Sequence, residues 1–142
     1  MIFQRINRTD PEKVFGIFRN VAGATITANY PATWTSSSPD GIRVTKPGSA
    51  LLSSLVGVAN ADIADSAYGL FQLYGYRASA FITNDTSVAI VAGDILIPVN
   101  AQWYLARSAA ADGKTGFITA AAAVATATTP AAANVGVFIR SM

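Results

Sequence analysis

Neither histidine nor cysteine occurs among the 142 residues of the chain. Their absence removes the usual general base near neutral pH, the thiol nucleophile and the two main zinc ligands. No Ser-His-Asp triad can be built. Ser-Lys catalysis would need a desolvated lysine, and Lys13, Lys46 and Lys114 each fall near a turn or the N-terminal segment, where water is expected. Paired carboxylates could hydrolyse a glycosidic bond. The acids are Asp10, Glu12, Asp40, Asp62, Asp65, Asp85, Asp94 and Asp112, and most lie in turns, which Asp favours for backbone reasons alone.

Two further patterns imitate binding sites. Gly113-Lys114-Thr115 looks like the end of a phosphate-binding loop, but Ser108 stands where that pattern needs glycine, and no strand leads into a helix there. The segment reads as a hairpin turn. Asn60, Asp62 and Asp65 offer clustered oxygen ligands, yet the spacing and glycine of a calcium loop are missing. A helix start or a solvated turn is the better reading. These residues therefore imply no enzyme, no cofactor and no metal.

The elements that would carry such groups are short strands. Val14–Arg19 and Ala24–Asn29 flank the Asn20-Val21-Ala22-Gly23 turn and read as a hairpin. Residues 29–50 read as a long irregular surface loop holding one short strand at Ile42–Thr45. Leu51–Val58 reads as a strand or a helical turn, and Asn60–Ser66 as a short helix. Tyr68–Ile82 carries the strongest strand signal, with Phe71, Leu73, Tyr74 and Tyr76 in a run bounded by Thr83-Asn84-Asp85. One alternating set of these rings should face a core or a subunit interface. Val88–Val91 and Ile95–Val99 flank the Ala92-Gly93-Asp94 turn, and Pro98 pushes the second strand toward an edge or an end. Trp103–Arg107, Phe117–Thr128 and Val135–Arg140 read as strands. In the last, Val135, Val137 and Ile139 share one face. No internal repeat is evident. The expected fold is all-β, a small sandwich or barrel of about eight short strands. It comprises an N-terminal arm over residues 1–12 and a single β domain over residues 13–142.

Only 13% of the residues are charged, against about 25% in ordinary soluble domains. A surface so poor in charge implies that other chains cover part of it. The ten basic residues exceed the eight acidic ones by two and are scattered, which does not give the dense positive stripe that nucleic acid requires. No apolar run reaches the roughly 18 residues of a spanning helix, and the N-terminus lacks the apolar core of a signal peptide. The arm nevertheless carries apolar Ile2, Phe3 and Ile6 beside Arg5 and Arg8. Together with Trp34, Ile42 and Arg43 of the long loop, these form the candidate interface.

Three segments carry a family resemblance: Asn20-Val21-Ala22-Gly23-Ala24-Thr25-Ile26, Asp62 to Arg77, and Ala92-Gly93-Asp94-Ile95-Leu96-Ile97-Pro98-Val99. Over about residues 14–140 the chain resembles the decoration, or cement, proteins of tailed-phage heads. The resemblance implies a trimeric or otherwise clustered subunit, made in the host cytoplasm. It would sit on the outer surface of the virion, clamp neighbouring major capsid proteins and use no catalytic residues. A head-fibre, tail or adhesion module with carbohydrate binding is the alternative.

Overall fold

The computed structural model describes residues 12–37, 40–49, 52–83, 89–108, 117–125 and 132–141. Among them every regular element is a strand. In chain order these are β1 (Val14–Asn20), β2 (Pro31–Trp34), β3 (Arg43–Thr45), β4 (Leu55–Ala59), β5 (Tyr68–Thr83), β6 (Ile95–Pro98), β7 (Leu105–Arg107), β8 (Ile118–Ala120) and β9 (Ala132–Arg140). They join in one sheet that closes on itself twice, because β5 pairs with β1 as well as β4 and with β9 as well as β7. Ring one runs β1-β3-β2-β4-β5, and ring two runs β5-β7-β6-β8-β9. The 16-residue β5 is long enough to serve both, its first half in ring one and its second half in ring two. Closure leaves few free edges to manage, which suits such short strands.

The two rings have the same topology. The first and third strands of each are parallel (β1–β3, β5–β7), and all other pairs are antiparallel. An isolated bridge closes one end of each, Ile26 with Ile63 in ring one and Ile90 with Val124 in ring two. The hydrogen bonds repeat as well. Asn29 donates its N–H to the Ala59 carbonyl, and Gly93 donates to Ala120; Ala59 in turn donates to Tyr30, and Ala120 to Asp94. No repeat is evident in the sequence, yet the two rings repeat one strand topology. The repeat is invisible in the letters because most equivalent positions keep their place in the ladder but not their residue type.

Each ring encloses its own core. Ile26, Ala32, Val44, Val56, Ala59, Ile63 and Phe71 fill ring one. Ring two is filled by Ala80, Ile82, Ile90, Leu96, Leu105, Ile118, Ala120, Val137 and Ile139, with Leu55 and Val58 of β4 added. β4 is thus buried along its whole length: Val56 and Ala59 serve one core and Leu55 and Val58 the other. Close approach is needed here, since a Cβ on Gly57 would strike the Gln72 carbonyl oxygen of β5.

Several sequence expectations change. Ala24–Asn29 does not pair with β1 as a hairpin; β1 lies instead between β3 and β5. The buried Asn20 side chain holds the intervening loop, donating to the carbonyls of Ala24 (2.8 Å) and Ile63 (2.9 Å) and accepting from Ala22 N–H (2.9 Å). Residues 31–34, expected in a surface loop, form the largely buried β2. Asn60–Ser66 is not helical: Ile63 bridges to Ile26, and the aspartates cap remote loop amides. Asp62 accepts from Ala28 N–H at 2.8 Å and Asp65 from Gly23 N–H at 2.9 Å. Of Phe117–Thr128, only Ile118–Ala120 is a strand within the described residues. β5, β6 and β9 fall where the sequence pattern placed them, with Pro98 ending β6.

Candidate interaction surface

Ring one wears large apolar side chains on its outer wall. β1 and β5 run antiparallel with Ile17 directly opposite Leu70, Arg19 opposite Tyr68 and Phe15 opposite Gln72. Ile17 is 66% exposed and Tyr68 63%, and Leu70 and Phe15 are also exposed. The inward side of the same strands carries Phe18 and Phe71, which meet edge to face at 5.9 Å. β1 is therefore apolar on both faces, and one face has no cover among the described residues. Isolated exposed apolar side chains are ordinary, but a contiguous group on two paired strands marks a contact surface. Ring two adds a smaller group: Tyr76 and Phe138 pair across β5 and β9, their rings 5.4 Å apart and both exposed. The signal for this surface was the apolar character of Val14, Phe15, Ile17 and Phe18 at both strand parities.

The candidate interface residues scatter. Ile2, Phe3, Arg5, Ile6 and Arg8 lie outside the described residues. Ile42 is 46% exposed. Its neighbour Arg43 is held by Asp40 in an ion pair at 2.9 Å. Trp34 packs edge to face on Phe18 at 5.2 Å and lies against the core of ring one. Trp103 stacks on Tyr30 at 5.6 Å, with the Lys46 ammonium 5.7 Å from its ring centre. Both tryptophans are thus tied to other side chains, and neither stands out as a free platform for a sugar.

The described aspartates are engaged with backbone amides and, at Asp40 and Asp94, with arginines. Asp40 accepts from the Ile42 and Arg43 amides, both at 2.9 Å. The Ile42 amide, with Arg43 beyond it, holds the carboxyl below its usual range. Asp94 accepts from Val91 N–H at 2.9 Å and pairs with Arg107 at 2.8 Å. These two contacts, the amide first, likewise lower its pKa. Among the described residues no group of three or more acids converges as metal ligands would. Asp10, Asp85, Asp112 and the Gly113-Lys114-Thr115 turn lie outside the described residues.

Fold and surface together define an all-β molecule, two five-stranded barrels fused through one strand, with an apolar outer wall. No protein-family model matches the sequence, and no curated protein matches it. Among solved structures, the chain is similar to the head fiber gp8.5 N base in bacteriophage phi29. The two share 15% identity at a TM-score of 0.49, over 92% of this chain and 96% of that one.

Proposed function

We propose that this chain is a non-catalytic structural protein of a phage head, which binds the outer surface of the assembled capsid and stabilises it by bridging major capsid subunits. The observation that carries the reading is the outer wall of β1 and β5, where Ile17, Leu70, Tyr68 and Phe15 face solvent on a chain with few charges. Burying such a wall against another protein recovers roughly 25 cal/mol for each Å² of apolar surface removed from water. The resemblance of the sequence to phage decoration proteins supplies the partner. A ligand that binds only the assembled lattice stabilises that lattice by mass action, and one subunit touching several capsid chains gains effective concentration.

The test is co-sedimentation of the purified protein with expanded heads that lack it, beside free capsid monomer. Saturable binding to heads, and none to monomer, is the expected result. Failure to bind heads overturns the proposal. Strong binding to a glycan array in its place would favour the adhesion-module reading.

A further inference from the structure

A buried cation with no carboxylate partner among the described residues lies where the two rings meet. Arg77 of β5 is only 8% exposed. All its hydrogen-bond partners among the described residues are neutral oxygens. Nε donates to the Ser79 carbonyl (2.6 Å), and Nη2 donates to Asn29 Oδ1 (2.7 Å) and the Ala59 carbonyl (2.8 Å). Nη1 lies 3.4 Å from Asn60 Oδ1 and from Gln72 Oε1. These contacts satisfy the donors with neutral oxygens and bring no opposing charge from the described residues. Burial depresses the guanidinium pKa.

The guanidinium borders an open concavity of about 220 Å³, lined by Lys13, Phe15, Asn29, Asn60, Gln72, Arg77, Ala78 and Ser79. Two of these residues are cationic and none is acidic. Because Asn29 and Asn60 turn their oxygens to Arg77, their amide N–H₂ groups are the ends left to donate to a ligand.

Comparison of the two rings shows that this polar lining is not required by the frame. The backbone positions of Asn29, Asn60 and Gln72 are held in ring two by Gly93, Ala121 and Phe138. That ring closes with the same ladder and no polar cluster. Among the described residues that line it, the cluster offers two positive charges and no negative one, which suits an anion as its ligand.

We infer that the concavity lined by Arg77, Lys13, Asn29 and Asn60 is a binding site for a carboxylate or another small oxyanion. Lys13 and the asparagine amides would supply the direct hydrogen bonds, and Arg77 the fixed positive potential. The anion could be a free phosphate or an acidic side chain presented by a partner chain. The inference does not depend on the proposed function.

The test is a titration of the full chain, followed by amide NMR shifts, with sodium acetate, inorganic phosphate and a capped glutamyl peptide at constant ionic strength, with chloride as the control. The expected result is saturable shifts at Lys13, Asn29, Asn60 and Ser79 with the oxyanions and none with chloride. Tightest binding of the peptide assigns the site to a partner's acid, and tightest binding of phosphate to a free ion. Lys13→Ala, on the exposed rim, should weaken binding about fivefold. Asn60→Asp should raise the melting temperature by giving Arg77 an internal counter-ion and should abolish oxyanion binding. Failure of all three probes to saturate, or unchanged binding in Lys13→Ala and Asn60→Asp, overturns the inference.

Discussion

Asn29 and Gly93 hold the same position in the two rings. Each takes a left-handed backbone, with φ of 73° and 95°, and each donates its N–H to the alanine carbonyl that ends the neighbouring strand, Ala59 or Ala120. Asparagine and glycine are the residues that reach this region at least cost. A Cβ on Gly93 would meet nothing within 4 Å, so substitution there tests the backbone alone. Gly93→Ala should cost about 1–2 kcal/mol and Gly93→Asn clearly less, both read by chemical denaturation.

Gly57 poses the opposite case, since its φ is not left-handed and space alone is limiting. A methyl group would meet the Gln72 carbonyl in the β4–β5 ladder. Gly57→Ala should destabilise by about 2 kcal/mol or more, because a strand carrying both cores must shift. An unchanged denaturation midpoint would contradict the close packing of β4 on β5.

The hydroxyl of Thr33 in β2 is fully buried and has no hydrogen-bond partner among the described residues. Valine has nearly the same shape without the polar atom. Thr33→Val should therefore hold or raise stability, by about 1 kcal/mol at most, and a lowered melting temperature would show that the hydroxyl has a role.

Asp40 and Asp94 both have lowered pKa values in the folded chain, from an ordinary value of 3.8. The stability they confer is fully present above that value and is lost as the pH falls through their lower folded values. Since the chain has no histidine, stability should be nearly flat from about pH 5 to 7 and decline below about pH 4. The double variant Asp40→Asn, Asp94→Asn should reduce the decline, measured as midpoint denaturant concentration against pH.

Ile17 and Leu70 form the centre of the apolar wall and face each other across β1 and β5. Ile17→Lys and Leu70→Lys should each leave stability within about 0.5 kcal/mol. Under the proposed function, the pair together should weaken head binding at least about tenfold, since central apolar contacts dominate interfaces. Loss of fold in either variant would mean that the wall belongs to the core instead.

The all-β character was legible because turn residues punctuate short apolar runs, and the pattern from Tyr68 to Ile82 located β5 almost to its ends. The turn at Ala92-Gly93-Asp94 and the strand end at Pro98 followed from local chemistry. The partners of β1 were not legible, because its parallel pairing with β3 is non-local and no turn announces it. Asn60–Ser66 misled because alanine and aspartate suit a helix start equally well, while the amides that Asp62 and Asp65 cap belong to distant residues. The repeated topology was hidden because Ala32 answers to Leu96, Phe71 to Val137 and Ile63 to Val124. Closed rings fix where a side chain points and leave its size free to vary. Arg77 read as one of ten scattered cations, although a charge inside the longest apolar strand run was a sign that it would be enclosed.

β5 is the last strand of one ring and the first of the other, so neither ring can be excised as a self-standing half. Melting either one strips β5 of neighbours on which the other relies, and β4 would at the same time withdraw Leu55 and Val58 from the second core. Heat or denaturant should accordingly take the molecule apart in a single cooperative transition, with the calorimetric and van't Hoff enthalpies in agreement.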